Sequence, residues 1–430
     1  MNFFQKIQCL SLPLILMCCF INCQNIPSPR SQQTSAQIDT KLYFFGGDLS
    51  YTDTLNSHAA NITNEVWYLD LSSSFNTAAM QWNKDVGMPV GHILGAPCVS
   101  PIDKSIFFIG GRMFVPNTAN ISLYSSLIYL FNPNISQWTT PKIVGFNVSF
   151  TRRNEIQPVI DSNGKIFIFG GSKYDDDDDN DKFDMYNDMN LFDINTMNWS
   201  TLPPSNNVPT GRICYTATLL PSGIILYIGG DDNVSSVSMN EIPAFDTKTY
   251  LWSTIKAGGA VIEGRLGHSA VLTKNEIIII YGGMFYNTTG TQAVPYIAEL
   301  NTNTWIWSIP NVSKTNAPPS LSFHSAAIYG DYMFIAFGQT AVISPTRINL
   351  INNVYILDTI NYTWVTTFNQ NKSIPKNKAT LNDYISSGLL TGICVGIVFK
   401  NQFNSKMDVK CQNRFEVDSK VTWFLLVNDQ

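Results

Sequence analysis

Few residues in this chain are of the kind that carries chemistry. There are four histidines in 430 residues, His58, His92, His268 and His324. An imidazole can bind a metal or move a proton near neutral pH. His268 and His324, however, stand in strands of small residues, where a hydrogen-bonded structural histidine is the simpler reading. His92, in Val-Gly-His-Ile, aligns roughly with those strands, and His58 sits in a long polar loop. The densest charge is the run Asp175, Asp176, Asp177, Asp178 and Asp179, with Asp181 and Asp184 just beyond. Carboxylates are the hard oxygen ligands that calcium takes, but a calcium loop spaces them and turns at a glycine. Consecutive acids repel one another and stay in water, so the run reads as a solvated loop and no metal is assigned to it.

Of the eight cysteines, four fall within the first 23 residues. The others, Cys98, Cys214, Cys394 and Cys411, form neither a CxxC pair nor a disulfide framework and read as buried free thiols. No glycine-rich phosphate loop and no Gly-x-Ser-x-Gly elbow is present. No cofactor is expected.

The elements that would position any site come from a repeat. Five apolar runs end in a glycine pair: Gly46–Gly47, Gly110–Gly111, Gly170–Gly171, Gly229–Gly230 and Gly282–Gly283. A sixth run, Phe-Ile-Ala-Phe-Gly-Gln, is aligned on Gly338 as its first glycine. That alignment gives steps of 64, 60, 59, 53 and 56 residues. Each pair is preceded by a small-residue strand, clearest in Arg-Leu-Gly-His-Ser-Ala-Val from Arg265. Each is followed, past a polar loop, by an apolar strand ending in Asp or Asn. A tryptophan then closes the unit: Trp82, Trp138, Trp199, Trp252, Trp307 and Trp364. The Asp/Asn-to-Trp interval is six residues in every unit but the first, where twelve residues imply an insertion near 72–77. A constant short interval between strands is a turn of set geometry. The glycines read as points of close backbone approach, and the tryptophans as packing between units.

The diglycines, the spaced tryptophans and the Arg-x-x-His-Ser-Ala strand resemble the kelch family over about residues 28–370. The resemblance implies an all-β fold, a six-bladed β-propeller with four antiparallel strands per blade. It does not fix a function, since propellers of this kind include enzymes, adhesion modules and adaptors. The galactose-oxidase type holds copper with two tyrosines and two histidines, one tyrosine being linked to a cysteine. The scarcity of histidine here, and a tail too short to be a further domain, argue against a copper-dependent or other carbohydrate-active oxidase. That reading remains the alternative. The Ser-x-Asp-x-Gly-x-x-Trp box of sialidases does not occur. The favoured reading is a recognition module for an unknown protein or glycan, without catalysis.

The ends bear on compartment. Residues 1–23 pair Lys6 with an apolar run and read as a signal peptide. Ten sequons point to the same secreted or surface location: Asn61, Asn120, Asn134, Asn147, Asn198, Asn233, Asn287, Asn311, Asn361 and Asn371. The propeller then spans 24–375 and a tail 376–430. In the tail, the apolar, glycine-rich residues 385–399 are shorter than the roughly 20 of an ordinary membrane helix. Fungal proteins with a kelch ectodomain, which the chain resembles, often end in one such glycine-rich span, so this segment is a candidate membrane anchor, with a loosely packed tail as the alternative. The formal charge of −5, with no basic cluster, excludes a dedicated nucleic-acid binder. Long loops follow the glycine pairs, and such loops on a rigid scaffold are where binding residues sit. Most sequons fall on that face, which leaves the acidic loop Asp175 to Asp184 as its barest region and the expected contact.

Overall fold

The computed structural model describes residues 26–49, 61–114, 128–146, 150, 153–173, 184–232, 234–285, 291–340 and 349–373. They are all-β apart from a 3-10 turn at Thr77–Ala79 and a helical turn at Gln370–Ser373. Six antiparallel meanders follow one another along the chain. The first comprises Thr34–Ile38, Lys41–Phe45, Val66–Asp70 and Trp82–Asp85, and the second Ala96–Val99, Ile106–Ile109, Ile128–Asn132 and Gln137–Thr139. The third contains Val159–Ile160, Lys165–Phe169, Met189–Asp193 and Asn198–Thr201, and the fourth Thr216–Leu219, Ile224–Ile228, Glu241–Asp246 and Leu251–Lys256. The fifth is Ser269–Leu272, Ile277–Tyr281, Ile297–Asn301 and Ile306–Ser308, with Gly258–Gly259 added in parallel at its edge. The sixth is Ser325–Tyr329, Tyr332–Ala336, Val354–Asp358 and Thr363–Val365. The first strand of each sheet packs on that of the next, and the sixth returns to the first. The sheets therefore stand around a common axis.

The second strands, such as Phe-Phe at 44–45 and Ile-Ile-Ile at 278–280, are buried on both faces. A strand sandwiched between two neighbouring sheets has no wet face, which is why these runs are continuously apolar rather than alternating. Each tryptophan joins the core between its own sheet and the preceding one. Trp307, for instance, packs with Leu226 and Ile228 of the fourth sheet, and Trp199 with Phe107 and Ile109 of the second. The constant interval before it is an Asx turn. Asn132, Asp193, Asp246, Asn301 and Asp358 each accept, through Oδ1, the backbone N–H two residues on, at 2.8 to 3.1 Å.

The glycine pairs join the sheets. The N–H of the second glycine donates to a carbonyl at the start of the next sheet. Gly47 reaches His92, Gly111 Arg153, Gly171 Arg212, Gly230 Arg265 and Gly283 Leu321, at 2.8 to 3.0 Å. The sixth such bond runs from Gly338 to Arg30 at 2.8 Å and closes the ring. Gly338 is thus the counterpart of the second glycine, not the first as aligned above. Phe337, at φ 60°, takes the first position, where the five glycines have φ of 61° to 67°. The left-handed conformation is kept there although the side chain is not, and the Phe337 ring packs on Phe44 and Trp82.

The sixth sheet takes all its strands from its own unit, so no strand is exchanged between the chain ends. The insertion in the first unit does the joining. Phe75–Asn76 pairs antiparallel with Thr367–Phe368, beyond the sixth sheet. Phe368 is fully buried among Leu42 and Phe44 of the first sheet and Tyr332 and Phe334 of the sixth.

A Cβ at Gly282 would overlap the Leu321 carbonyl oxygen, and one at Gly170 would lie 2.9 Å from that of Arg212. Gly282→Val is therefore expected to lower the free energy of unfolding by more than the roughly 1 kcal/mol of an average substitution, and by more than Gly170→Val. Phe368→Ala is expected to cost about 3–5 kcal/mol. Urea unfolding checks all three, and a Gly282→Val midpoint equal to wild type would refute the close-approach role.

Candidate functional site

Just inside each of those carbonyls the chain bends through one residue of positive φ: Gln32, Leu94, Glu155, Cys214, Gly267 and Phe323, at 51° to 63°. They stand together around the mouth of an axial cavity of about 220 Å³. Its wall is formed by the small and hydroxyl-bearing starts of the innermost strands, including Thr34, Ser35, Thr216, Ser269 and Ser325. Five sheet-to-sheet hydrogen bonds link the ring residues. Gln32 donates its N–H to Phe323 O, Leu94 to Gln32 O, Glu155 to Leu94 O, Gly267 to Cys214 O and Phe323 to Gly267 O, at 2.8 to 3.3 Å. Among the described residues, the bond from Cys214 N–H to the Glu155 carbonyl is not formed. The Cys214 thiol instead donates to Glu155 Oε1 at 3.4 Å, and Ser172 Oγ donates to Glu155 Oε2 at 3.0 Å. Burial, then the Glu155 charge, raises the thiol pKa well above its ordinary value, so it stays protonated. Cys98 is the fully buried thiol of the pair, whereas Cys214 is partly buried at the rim bend rather than inside a core strand.

Two shells of side chains hold the mouth rigid. Two residues before the bend stands Arg30, Arg153 or Arg265, each donating Nη1 to the first-glycine carbonyl of its own sheet at 2.9 to 3.0 Å. Arg30 also pairs with Glu65 at 2.8 Å. Burial alone would raise the Glu65 carboxyl, but hydrogen bonds from Lys84, Arg30 and Trp67 outweigh it and hold its pKa at about 2. Arg153 pairs with Asp188 at 2.6 Å. In the second unit His92 replaces the arginine, its Nε2 standing 3.2 Å from Gly110 O. A carbonyl can only accept, so this nitrogen carries the proton. The sequence reading singled out Arg265 alone. The spacing of 16 or 17 residues from arginine to first glycine was the available signal.

One residue after the bend, polar side chains reach back to the preceding sheet. His268 Nε2 meets Thr216 Oγ1 at 3.2 Å, and His324 Nε2 meets Ser269 Oγ at 2.8 Å. Gln33 does the same across the closure, donating Nε2 to Ser325 Oγ at 3.3 Å and Ala336 O at 3.1 Å. Tyr215 donates its hydroxyl to Phe169 O. Three of the four histidines are thus engaged in the scaffold, and His58 lies outside the described residues. Burial depresses them: His92 to about 4, His324 to about 3, and His268 well below 6.5, with Arg265 and His324 assisting by charge.

Among the described residues no group of three or more His, Cys, Asp or Glu side chains is placed to hold a metal. Asp175 to Asp179 and Asp181 lie outside the described residues. Asp184 is exposed in the strand Asp184–Met185, which pairs with Ser172–Lys173 at the stem of that loop. Ser172–Lys173 also pairs with Arg153–Asn154, and comparable ladders join Gly91–Ile93 to Arg112–Phe114 and Leu321–Ser322 to Gln339–Thr340. Of the sequons, Asn134, Asn198, Asn311, Asn361 and Asn371 are exposed and Asn61 is half-buried, while Asn120, Asn147, Asn233 and Asn287 are outside the described residues. So are residues 1–23 and 385–399. No helix among the described residues is long and apolar enough to cross a membrane.

A family model described as the KLHDC2/KLHL20/DRC7 Kelch-repeats domain matches residues 95–290 and 215–391. The chain belongs to the kelch-repeat family. Similar proteins include Acyl-CoA-binding domain-containing protein 5 of Arabidopsis thaliana, 23% identical over 73% of this chain and 44% of its own length. Kelch domain-containing protein 3 of Rattus norvegicus is 28% identical over 41% of this chain and 48% of its own length. Kelch domain-containing protein 10 of Mus musculus is 25% identical over 72% and 66%. The chain spans about half the length of the first two relatives.

Neutral buried histidines give the kelch scaffold a pH dependence. Below about pH 6.5 the unfolded chain takes up protons that the folded form still refuses, so the histidine contribution to stability falls as the pH is lowered below that point and is flat above it. Each histidine contributes about 1.4 kcal/mol per pH unit. The urea midpoint is expected to be lower at about pH 5 than at about pH 7.5, and His324→Gln to shrink that difference by about a third. An identical difference in wild type and variant would contradict the assignment.

Proposed function

We propose that this chain is a six-bladed kelch propeller acting as a non-catalytic protein-recognition module, with its partner docking on the face where the axial cavity opens. The six sheets, each contacting the next and the last contacting the first, support the blade count. The observation that carries the docking face is the placement of the loop stems. In every unit the long loop after the glycine position rises from a short ladder or bridge to the strand that leads into the cavity rim. The loops thus stand on a rigid base around one mouth, the arrangement that lets variable loops bind on an invariant scaffold. Histidines held in neutral scaffold hydrogen bonds are poor candidates for a metal or a proton shuttle, which favours binding over the oxidase alternative.

On this reading the acidic loop from Asp175 to Asp184 supplies a charged contact that weakens with salt. Crosslinking capture with the full chain is expected to recover a partner whose binding at low ionic strength is lost when Asp175 to Asp179 are changed to Asn. Retention of that partner by the variant would overturn the contact. The signal-like N-terminus and the ten sequons support a secreted or surface location, with residues 385–399 as a candidate anchor. Protein from its native source is then expected to gain mobility on peptide N-glycosidase treatment, and an unchanged mobility would contradict the secretory reading.

A further inference from the structure

The cavity mouth is electrically one-sided. Its lining contains a single carboxylate, Glu155, and neither lysine nor arginine. The groups touching that carboxylate, the Cys214 thiol and the Ser172 hydroxyl, are neutral donors. They orient it and leave its charge uncompensated, and Glu155 forms no ion pair among the described residues. Of the charged groups that act on the adjacent thiol, Glu155, Asp231 and Arg112, only Glu155 lines the cavity. This is also the one place where the rim's backbone ring is open, because the Glu155 carbonyl is not taken by Cys214 N–H. Glu155 thus brings to the rim both a carboxylate and a carbonyl that the backbone ring does not use. Elsewhere the rim carries no charge: Gln32 and Cys214 are neutral polar residues, and the remaining positions are apolar or aromatic. Leu94 stands in the second unit. In the sixth, the Phe323 ring lies over Gly267, where an added Cβ would meet it at 3.1 Å.

We propose that the cavity takes a basic side chain, lysine or arginine, from a partner protein, with Glu155 as its counter-charge. An N–H donor on a cation satisfies the carboxylate by a charge-assisted hydrogen bond, roughly twice as strong as a neutral one. The stem of the side chain lies against Leu94 and the small residues of the inner strands, as long basic side chains do on apolar surface. Phe323 adds aromatic surface at which a cation is welcome. A neutral or acidic group gains none of this and leaves the Glu155 charge partly stripped of water. The proposal rests on the reading of this face as the recognition surface and names the chemistry that it selects.

The test needs no partner. N-acetyl-arginine amide, N-acetyl-lysine amide and the neutral N-acetyl-norleucine amide are titrated onto the full chain and followed by saturation-transfer NMR. The two cationic probes are expected to bind and the norleucine amide not to. Glu155→Gln, which keeps the shape and the acceptor, is expected to weaken binding about tenfold or more, the loss of a charge-assisted bond. Ala217→Leu, on the cavity wall, is expected to block it, and if that variant fails to fold, Glu155→Gln decides alone. Absence of cationic binding, equal binding of norleucine amide, or binding undiminished in Glu155→Gln would overturn the proposal. Those results would leave partner capture through the loops standing, whereas loss of capture with intact probe binding would strike the wider reading and spare this one.

Discussion

Everything in this structure depends on how closely one sheet's diglycine approaches the backbone of the next. The second glycine's N–H reaches across to a carbonyl six times around the ring. At the first glycine a side chain would collide with that same backbone. Without this approach the apolar second strands could not be covered on both faces by neighbouring sheets, and the tryptophans would have no preceding sheet to fill against. The carbonyls so engaged lead directly into the bends that form the cavity rim. The contact that holds the ring together is thus also the contact that fixes the mouth.

The closure shows that the constraint belongs to the backbone and not to glycine itself. At the junction of the sixth and first sheets Phe337 keeps the left-handed φ, and Gly338 keeps the bond to Arg30. Gln33 takes the reaching-back role that histidine plays at two other junctions. The insertion of the first unit supplies a further pairing with Thr367–Phe368. Each departure from the repeat near the chain ends is matched by a compensating interaction at the same junction, as expected where the two ends must be held without an exchanged strand.

Much of this was legible in the sequence, because repetition multiplies weak signals. The diglycines, the Asp/Asn-to-Trp interval and the insertion at 72–77 mark out the strands, the Asx turns and the closing segment. The misalignment of Gly338 arose because a lone glycine gives no register, whereas the φ of its neighbour does. Arg30 and Arg153 were missed because their strands lack the His-Ser-Ala that made Arg265 conspicuous. The rim itself was not legible. Its six residues share a backbone angle but no side-chain type, ranging from Gln32 and Glu155 to Gly267 and Phe323, and no residue pattern announces a shared angle.

The central claim is that the six sheets form one cooperative ring whose closing contact equals the others. Native-state amide hydrogen exchange at the second glycines measures this directly, since each N–H is held only by the inter-sheet bond. The account predicts that Gly338 exchanges as slowly as Gly47, Gly111, Gly171, Gly230 and Gly283, all through global unfolding. Fast, sub-global exchange at Gly338, with the other five still protected, would show a ring that opens between its ends and would contradict it.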